Sequence, residues 1–376
     1  MTPTPVRTIV VPTAGGLHYS RQVSLGVKRF LQAVPDAPPM AMIEAGKLAH
    51  PQWRQRLPGQ WAAVGYAGGD DLADARRLKM PCVFCNTSLE GEFARVVPDH
   101  PAVGRLAGEH LVAQGHRRVG FVTYYGITHW EARKQGLAAA LGEVGGTVRD
   151  VFWSGDATDE LGEALAGLSA VMLPTDQEAC EFLCIAGQLG ISVPDELAVI
   201  GADNDTFACE MAEVPLSSVD LAPRRIGELA AEVLWDALKE GRMPESAVLR
   251  VPPRGVAVRR STDVLAYEDP HVRSAMAFIQ EHACEDITIE DVVRDQTISR
   301  RTLENRFKRD VGRTLLKQIH HARFENAKRL LIETGLRITD IAPQCGYPDH
   351  SRFTTEFGKH VGMSPSAYRA VNGLGD

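Results

Sequence analysis

The stretch AVMLPTDQEACEFLCIAGQLGISVPDELAVIGADN, residues 170–204, reads as a short apolar run, a helix-like stretch and a second apolar run. The same alternation extends in both directions from it. Upstream lie RTIVVPT before SRQVSLGVKRFLQ, WAAVGYAG before DDLADARRL, and RRVGFVTYY before WEARKQGLAAAL. Downstream, PRRIGELAAEVLWDAL follows the second run. Strands of nearly continuous Val, Ile and Ala are expected where a sheet is covered on both faces, so residues 6 to about 252 predict a parallel α/β arrangement. In such folds ligands bind beyond the carboxyl ends of strands, where strand order reverses. The residues just after each strand are therefore the ones to follow.

Those positions are polar. Tyr19 and Arg21 follow the first strand, Trp130 and Arg133 come near the fifth, and Thr175-Asp176 and Asp203-Asn204 come later. Asp, Asn and Arg around aromatic rings suit a small polyhydroxylated ligand, because each hydroxyl needs a donor and an acceptor. The sequence has no GxGxxG after a first strand, no GxxxxGKS/T, no GxSxG and no HExxH, which removes the usual support for nucleotide-binding and hydrolase readings. No nucleophile, base pair or metal cluster stands at a supporting spacing, so we expect no catalytic residues, no metal and no cofactor. Cys82 and Cys85 form a lone CxxC inside PCVFCN, which reads as a buried strand, since a redox CxxC should open a helix.

PDHPAVGRLAGEHL (98–111), LVAQGHRRVGFVT (111–123), LAVIGADN (197–204) and VPLSSVDLAPRRIG (214–227) resemble the effector domain of the lactose-repressor family. That resemblance implies a two-lobed, periplasmic-binding-protein-like α/β domain closing on a sugar. It carries a ligand role to Arg133, Thr175, Asp176 and Asp203. Two features differ from the family pattern. The first strand begins within ten residues of Met1, leaving no room before it for amino-terminal DNA-binding helices, and Leu221 stands where the family often has Gln.

The 376 residues predict two or three domains, and 44% hydrophobic with 24% charged residues is an ordinary globular composition. The net charge of −7 argues against a chain that is basic throughout, and its distribution is uneven. Residues 1–270 carry 25 Lys and Arg against 34 Asp and Glu, residues 271–297 carry 2 against 6, and residues 298–376 carry 14 against 8. A basic module on an acidic body raises the expectation of a polyanion partner. Apolar runs such as Leu197–Ile200 fall far short of the roughly 20 residues of a membrane helix, and the first residues lack an apolar signal core. We expect no membrane partner and a cytoplasmic location, and seven cysteines fit reduced thiols.

The basic end contains a repeat. After a linker, taken as 261–270, Asp269-Pro270 reads as the cap and first-turn proline of a helix with Val272, Ala275, Met276 and Ile279 on one face. Leu303, Phe307, Val311 and Gly312 then recur as Phe353, Phe357, Val361 and Gly362, displaced by 50, while Ile289 and Val292 recur as Ile338 and Ile341, displaced by 49. Two helix-turn-helix units, each ending at Gly, account for this, and the stretch around Phe324, Ala327, Leu330 and Leu331 joins them. With Leu303 and Phe307 buried, Arg301, Asn305 and Lys308 point outward, flanked by Thr302 and Glu304, behind Ser299 as N-cap. The second copy exposes Ser351, Thr355 and Gly358, flanked by His350, Arg352 and Thr354. Arg and Asn can engage guanine and adenine bidentately, so the first helix should read bases more strongly. Pro343 lies beyond the first turn of its helix and removes one internal hydrogen bond, which predicts a bent or weaker second unit.

ITIEDVVRDQTISRRTLENRFKRDVGRTLL (287–316) and NAKRLLIETGLRITDIAPQCGYPDHSRFTTEFGKHVGMSPSAYR (326–369) resemble the full AraC-type DNA-binding domain. That resemblance implies an all-α double helix-turn-helix whose two units enter successive major grooves. The expected organisation is an effector-binding domain at 1–260 and a DNA-binding domain at 271–376. This order, with LSSV, RVPP, RRSTD, EHAC and CGYP, is similar to that of the xylose-operon regulators. The similarity implies a homodimeric activator of pentose-catabolism genes that responds to D-xylose or a related sugar, binds a double-stranded DNA operator and meets RNA polymerase. The alternative is the same architecture sensing another sugar or acting as a repressor.

Overall fold

The computed structural model describes residues 6–57, 59–85, 93–124, 130–244, 246–294 and 296–372. The chain divides into two compact units. The first comprises Met1–Glu109, Arg118–Gly142 and Thr147–Asp263, and the second comprises His110–Arg117, Glu143–Gly146 and Val264–Asp376.

The first unit holds two six-stranded sheets. The amino-terminal lobe contains β1 (Val6–Thr13), β2 (Met40–Glu44), β3 (Gln60–Gly65), β4 (Cys82–Phe84) and β5 (Ala94–Pro98), with helices α1 (His18–Ala33), α2 (Pro51–Arg56) and α3 (Asp71–Arg77) between them. α4 (His100–Ala113) leads to the second lobe, which contains β6 (Arg118–Tyr124), α5 (Glu131–Gly142), β7 (Thr147–Trp153), α6 (Asp159–Leu165), β8 (Ala170–Met172), α7 (Asp176–Gln188), β9 (Ala198–Ala202), α8 (Thr206–Met211) and β10 (Ser217–Asp220). The chain returns through α9 (Pro223–Lys239) and β11 (Val248–Val251) to the first sheet, then through β12 (Gly255–Ala257) to the second.

Strand order is β11-β5-β4-β3-β1-β2 in one sheet and β12-β10-β9-β8-β6-β7 in the other, with every pair parallel except β10 and β12. Central strands β3, β8 and β9 are buried along nearly their whole length, because helices cover both faces. Edge strands β2 and β7 expose several residues, as an edge allows. Order reverses between β1 and β3 in one sheet and between β6 and β8 in the other, so each lobe has one crevice at its strand ends. Cys82 and Cys85 are buried within this packing, and burial pushes the Cys82 thiol up to about 12.

The segment expected as a linker is partly core. Ser261 and Thr262 are fully buried in a 3-10 turn at Arg260–Thr262, because their hydroxyls are drawn into hydrogen bonds beneath β9 and β10. In the second unit Tyr267 is buried as well, its hydroxyl donating to the Ala113 carbonyl at 2.8 Å. The Ala266 N–H donates to the Gln114 carbonyl at 2.8 Å, so residues 110–117 pack with the carboxyl-terminal helices although they lie far upstream.

The rest of the second unit is helical: α10 (Pro270–His282), α11 (Ile289–Arg294), α12 (Arg300–Val311), α13 (Leu315–Glu333), α14 (Ile338–Gln344), α15 (His350–Val361) and α16 (Pro365–Asn372). α10 buries Val272, Ala275, Met276 and Ile279 and is capped by Asp269. The repeat at 50 residues is visible in the backbone. α12 and α15 each have 12 residues, with N-caps Ser299 and Asp349, and end at Gly312 (φ 81°) and Gly362 (φ 82°). Those positive φ values lie in the left-handed region, where glycine carries no Cβ penalty. Two cores result, one around Leu303, Phe307 and Val311 and one around Phe324, Phe353 and Phe357. Pro343 falls in the last turn of α14, where the lost hydrogen bond is followed at once by the helix end. Among the described residues no helix is long and apolar enough to cross a membrane.

Candidate ligand pocket and nucleic-acid interface

A cavity of about 260 Å³ lies in the first unit at the strand ends of both lobes. His18 and Tyr19 enter it after β1, Tyr66 after β3 and Cys85 after β4. From the other lobe come Trp130 and Arg133 after β6, Thr175, Asp176 and Gln177 after β8, Asp203 and Asp205 after β9, and Leu221 after β10.

Arg133 is the cation of the site and is almost wholly buried. Its Nε–H donates to His100 Nδ1 at 2.9 Å. Nη1 donates to the Pro174 carbonyl, and the guanidinium sits 4.5 Å from the Trp130 ring centroid, within cation–π range. The close packing of α4 and α5 places Arg133 there. A Cβ on Gly104 would lie 1.7 Å from the Arg133 carbonyl oxygen, so only glycine permits this approach. Burial lowers the Arg133 pKa, and Asp203, Glu178 and Asp176 work against that shift.

The carboxylates have different tasks. Burial raises Asp176 to about 6, against hydrogen bonds from Ser218 Oγ (2.5 Å), the Asp205 N–H (2.8 Å) and Cys209 Sγ (3.3 Å). Both its oxygens are thereby engaged in tying α7 to the β9–α8 turn and to β10. Asp203 is also raised by burial, opposed chiefly by Arg133, and is held at φ 124°. Across the cavity His18 Nδ1 lies 3.3 Å from Asp205 Oδ1. The Tyr19 hydroxyl donates to the Cys85 carbonyl at 2.9 Å, and its ring stands edge-on to Tyr66 at 6.3 Å. Carboxylates that accept, a guanidinium that donates and flat rings beside Leu221 suit a ligand with a hydroxylated rim and an apolar face.

Of the residues singled out from sequence, Tyr19, Trp130, Arg133, Thr175, Asp176 and Asp203 come together around this cavity. Arg21 does not. It is exposed and donates to the Gly15 carbonyl at 2.7 Å, because two helical residues from Tyr19 is about 200° around α1. The Thr175 hydroxyl is engaged in a capping box with Glu178 at the start of α7. Sequence reasoning missed His18, Tyr66, His100 and Asp205. His18 stands beside Tyr19 in sequence, and Asp205 follows GADN, so both carried a signal of position.

In the second unit Arg301, Asn305 and Lys308 are exposed on α12, and Glu304 is half-buried with Arg300 Nε donating to it at 2.9 Å. On α15 His350, Ser351, Arg352 and Thr355 are exposed and Thr354 is half-buried. Ser299 caps α12 with a neutral hydroxyl, its Oγ accepting from the Thr302 N–H at 3.3 Å. Asp349 caps α15 with a carboxylate, accepting from the Arg352 N–H at 2.7 Å. Sequence reasoning passed over this second cap and over Arg300, which lies on the first turn of α12.

A family model described as a periplasmic binding protein-like domain matches residues 109–262, and one described as a helix-turn-helix domain matches residues 293–370. The xylose operon regulatory protein of Haemophilus influenzae is 30% identical over 293 residues, which covers 74% of this chain and 75% of that protein. The chain belongs to the xylose operon regulatory protein family. The family's Escherichia coli (strain K12) protein is 40% identical over 210 residues, or 56% of this chain, so the match spans about half the length (53%) of that relative. A solved structure of the xylose-binding transcription activator xylR is similar with a TM-score of 0.54 and 30% identity, covering 99% of this chain and 100% of that one. By name these relatives are operon regulatory proteins and a transcription activator.

Proposed function

We propose that this chain is a sugar-responsive, sequence-specific transcriptional regulator of pentose catabolism, with D-xylose or a close relative as effector. One observation carries the reading: a cavity lined by a buried guanidinium, a buried and a half-buried carboxylate and aromatic rings shares a chain with the two helix-turn-helix helices α12 and α15, each with an exposed polar face. The first part supplies what a polyol needs, and the second presents Arg301 and Asn305 where base edges would lie. The ligand roles of Tyr19, Trp130, Arg133, Thr175, Asp176 and Asp203, and the DNA roles of Arg301, Glu304, Asn305, Lys308, His350, Ser351, Arg352, Thr354 and Thr355, belong to this proposal. So do a homodimer, contact with RNA polymerase, work in the cytoplasm and an absence of turnover. Isothermal calorimetry with a panel of pentoses and hexoses, D-xylose among them, tests the sensor. Binding of one sugar with a raised melting temperature is the expected result, and no binding across the panel refutes the assignment.

A second reading keeps the architecture and changes the effector. Leu221 in the cavity wall favours it, since a leucine offers no hydrogen bond to a hydroxyl beside it. Tighter binding of a sugar other than D-xylose in the same panel selects this reading.

A further inference from the structure

Asp203 and Asn204 are consecutive non-glycine residues in the left-handed region, at φ 124° and 50°. Asp203 lines the cavity, whereas Asn204 turns away from it. The Asn204 N–H donates to Ser218 Oγ at 3.0 Å, and its side-chain Oδ1 accepts from Arg259 Nη2 at 2.9 Å. Arg259 is in turn held at both ends. Its Nη1 donates to the Leu216 carbonyl at 2.8 Å, and its backbone N–H and carbonyl both meet Ser217 Oγ, at 2.8 and 2.9 Å. Ser217 continues the chain of contacts to Thr262 Oγ1 at 2.7 Å, and its N–H donates to Ser261 Oγ at 2.8 Å. Residues 260–262 form the turn immediately before Asp263, the last residue of the first unit.

We propose that Arg259 is the positioning residue that carries occupancy of the cavity to the segment leaving the sensor unit, an inference that rests on the regulator reading above. A ligand hydroxyl that donates to Asp203 fixes a turn whose backbone conformation L-residues rarely adopt. Fixing that turn fixes the Asn204 carboxamide, and with it the guanidinium and the 3-10 turn that follows. Without the ligand, any relaxation of the 203–204 backbone moves Oδ1 and releases Nη2, so the exit segment has a bound and an unbound setting. Coupling of this kind is reciprocal: DNA that prefers one setting changes sugar affinity by the same factor. Ser218 reinforces the route, since its hydroxyl joins Asp176 on the cavity side to the Asn204 amide.

The full chain tests this with D-xylose as probe and a DNA fragment selected by the wild-type chain from a randomised pool in its presence. The readout is the ratio of DNA affinities with and without sugar, alongside calorimetric sugar affinity and melting temperature. Arg259→Gln and Asn204→Gly cut the bond from either side, and glycine keeps the positive φ. Both variants are expected to bind D-xylose within about threefold of wild type, a change far smaller than loss of a coupled site. The wild-type ratio should lie within about 5 to 150 and fall to within about twofold of one in both variants. Arg259→Lys, which keeps a single donor nitrogen in place of two, should recover part of it. A wild-type ratio preserved in Arg259→Gln and Asn204→Gly overturns the relay while leaving the regulator reading intact. Loss of sugar binding together with melting temperature in both variants overturns it too, by showing a merely structural role. A wild-type chain that binds sugar but shows a ratio of one overturns the regulator reading, and the relay with it.

Discussion

On the proposed sensor reading, Asp203 would carry both affinity and proton linkage. Removing a charged acceptor from a hydrogen-bonded ligand costs about 1.5–3 kcal/mol, so Asp203→Ala should weaken sugar binding by about 10- to 100-fold in calorimetry. Burial raises the pKa of Asp203, opposed chiefly by Arg133, so in the empty cavity its neutral form persists to higher pH than that of an ordinary carboxylate. Hydroxyls donating to Asp203 favour its charged form. Sugar binding wherever the empty-cavity Asp203 is partly protonated should therefore release protons, and affinity should rise with pH through its titration. Calorimetry in two buffers of different ionisation heat measures the proton count, and uptake instead of release would contradict the assignment. Arg133 and Asp203 were legible in the sequence because strand ends mark the crevice. Arg21 was misplaced because reading it beside Tyr19 ignored the helical turn that separates their faces. His100 was not legible as the partner of Arg133, since it lies 33 residues upstream and meets it only through α4 and α5.

Among elements, the α4–α5 contact decides where the cation sits. Gly104→Ala would push a Cβ against the Arg133 carbonyl, forcing the helices apart. Overpacking of this kind costs about 1–3 kcal/mol, and here it should also displace the guanidinium from His100, so sugar affinity falls along with melting temperature. Helices α12 and α15 differ at their caps. Asp349→Ser replaces an anionic cap by a neutral one that caps nearly as well, so helix stability should change little. Where phosphates approach that end, loss of the carboxylate should strengthen DNA binding by about two- to fivefold at low salt, fading as salt rises. A gel-shift titration at two ionic strengths checks this. The repeat made both helices legible, because buried apolar residues and terminal glycines keep their spacing. The chemistry of the caps lies outside that apolar pattern, and Asp349 went unremarked.

At the scale of the molecule, the hidden feature is packing between distant segments. His110 and His116, in the segment that groups with the carboxyl-terminal helices, and His321 on α13 are each pushed down to about 4 by burial. The ordinary value is 6.5, so the unfolded chain takes up these protons first as pH falls. Stability of the second unit should be flat above about 6.5 and decline as pH falls from there toward 4. Hydrogen exchange of peptides from α13 at pH 7 and pH 5 reads this directly, and equal protection at both would refute it. A boundary drawn along the sequence could not express this, because residues 110–117 group with helices from which the second lobe separates them in sequence.

α13 has 19 residues and joins one helix-turn-helix to the other without interruption. At 1.5 Å per residue it is a rod about 28 Å long, close to the roughly 34 Å between successive major-groove faces. The rod acts as a ruler. On the regulator reading it transfers a fixed length from the protein to the genome, because bases added or lost between the two half-sites rotate one groove away from its helix. Five extra base pairs, half a helical turn, would turn the second half-site to the far side of the duplex. A changed letter within a half-site costs about 1–3 kcal/mol, whereas a changed distance between the half-sites breaks the grip of one helix altogether.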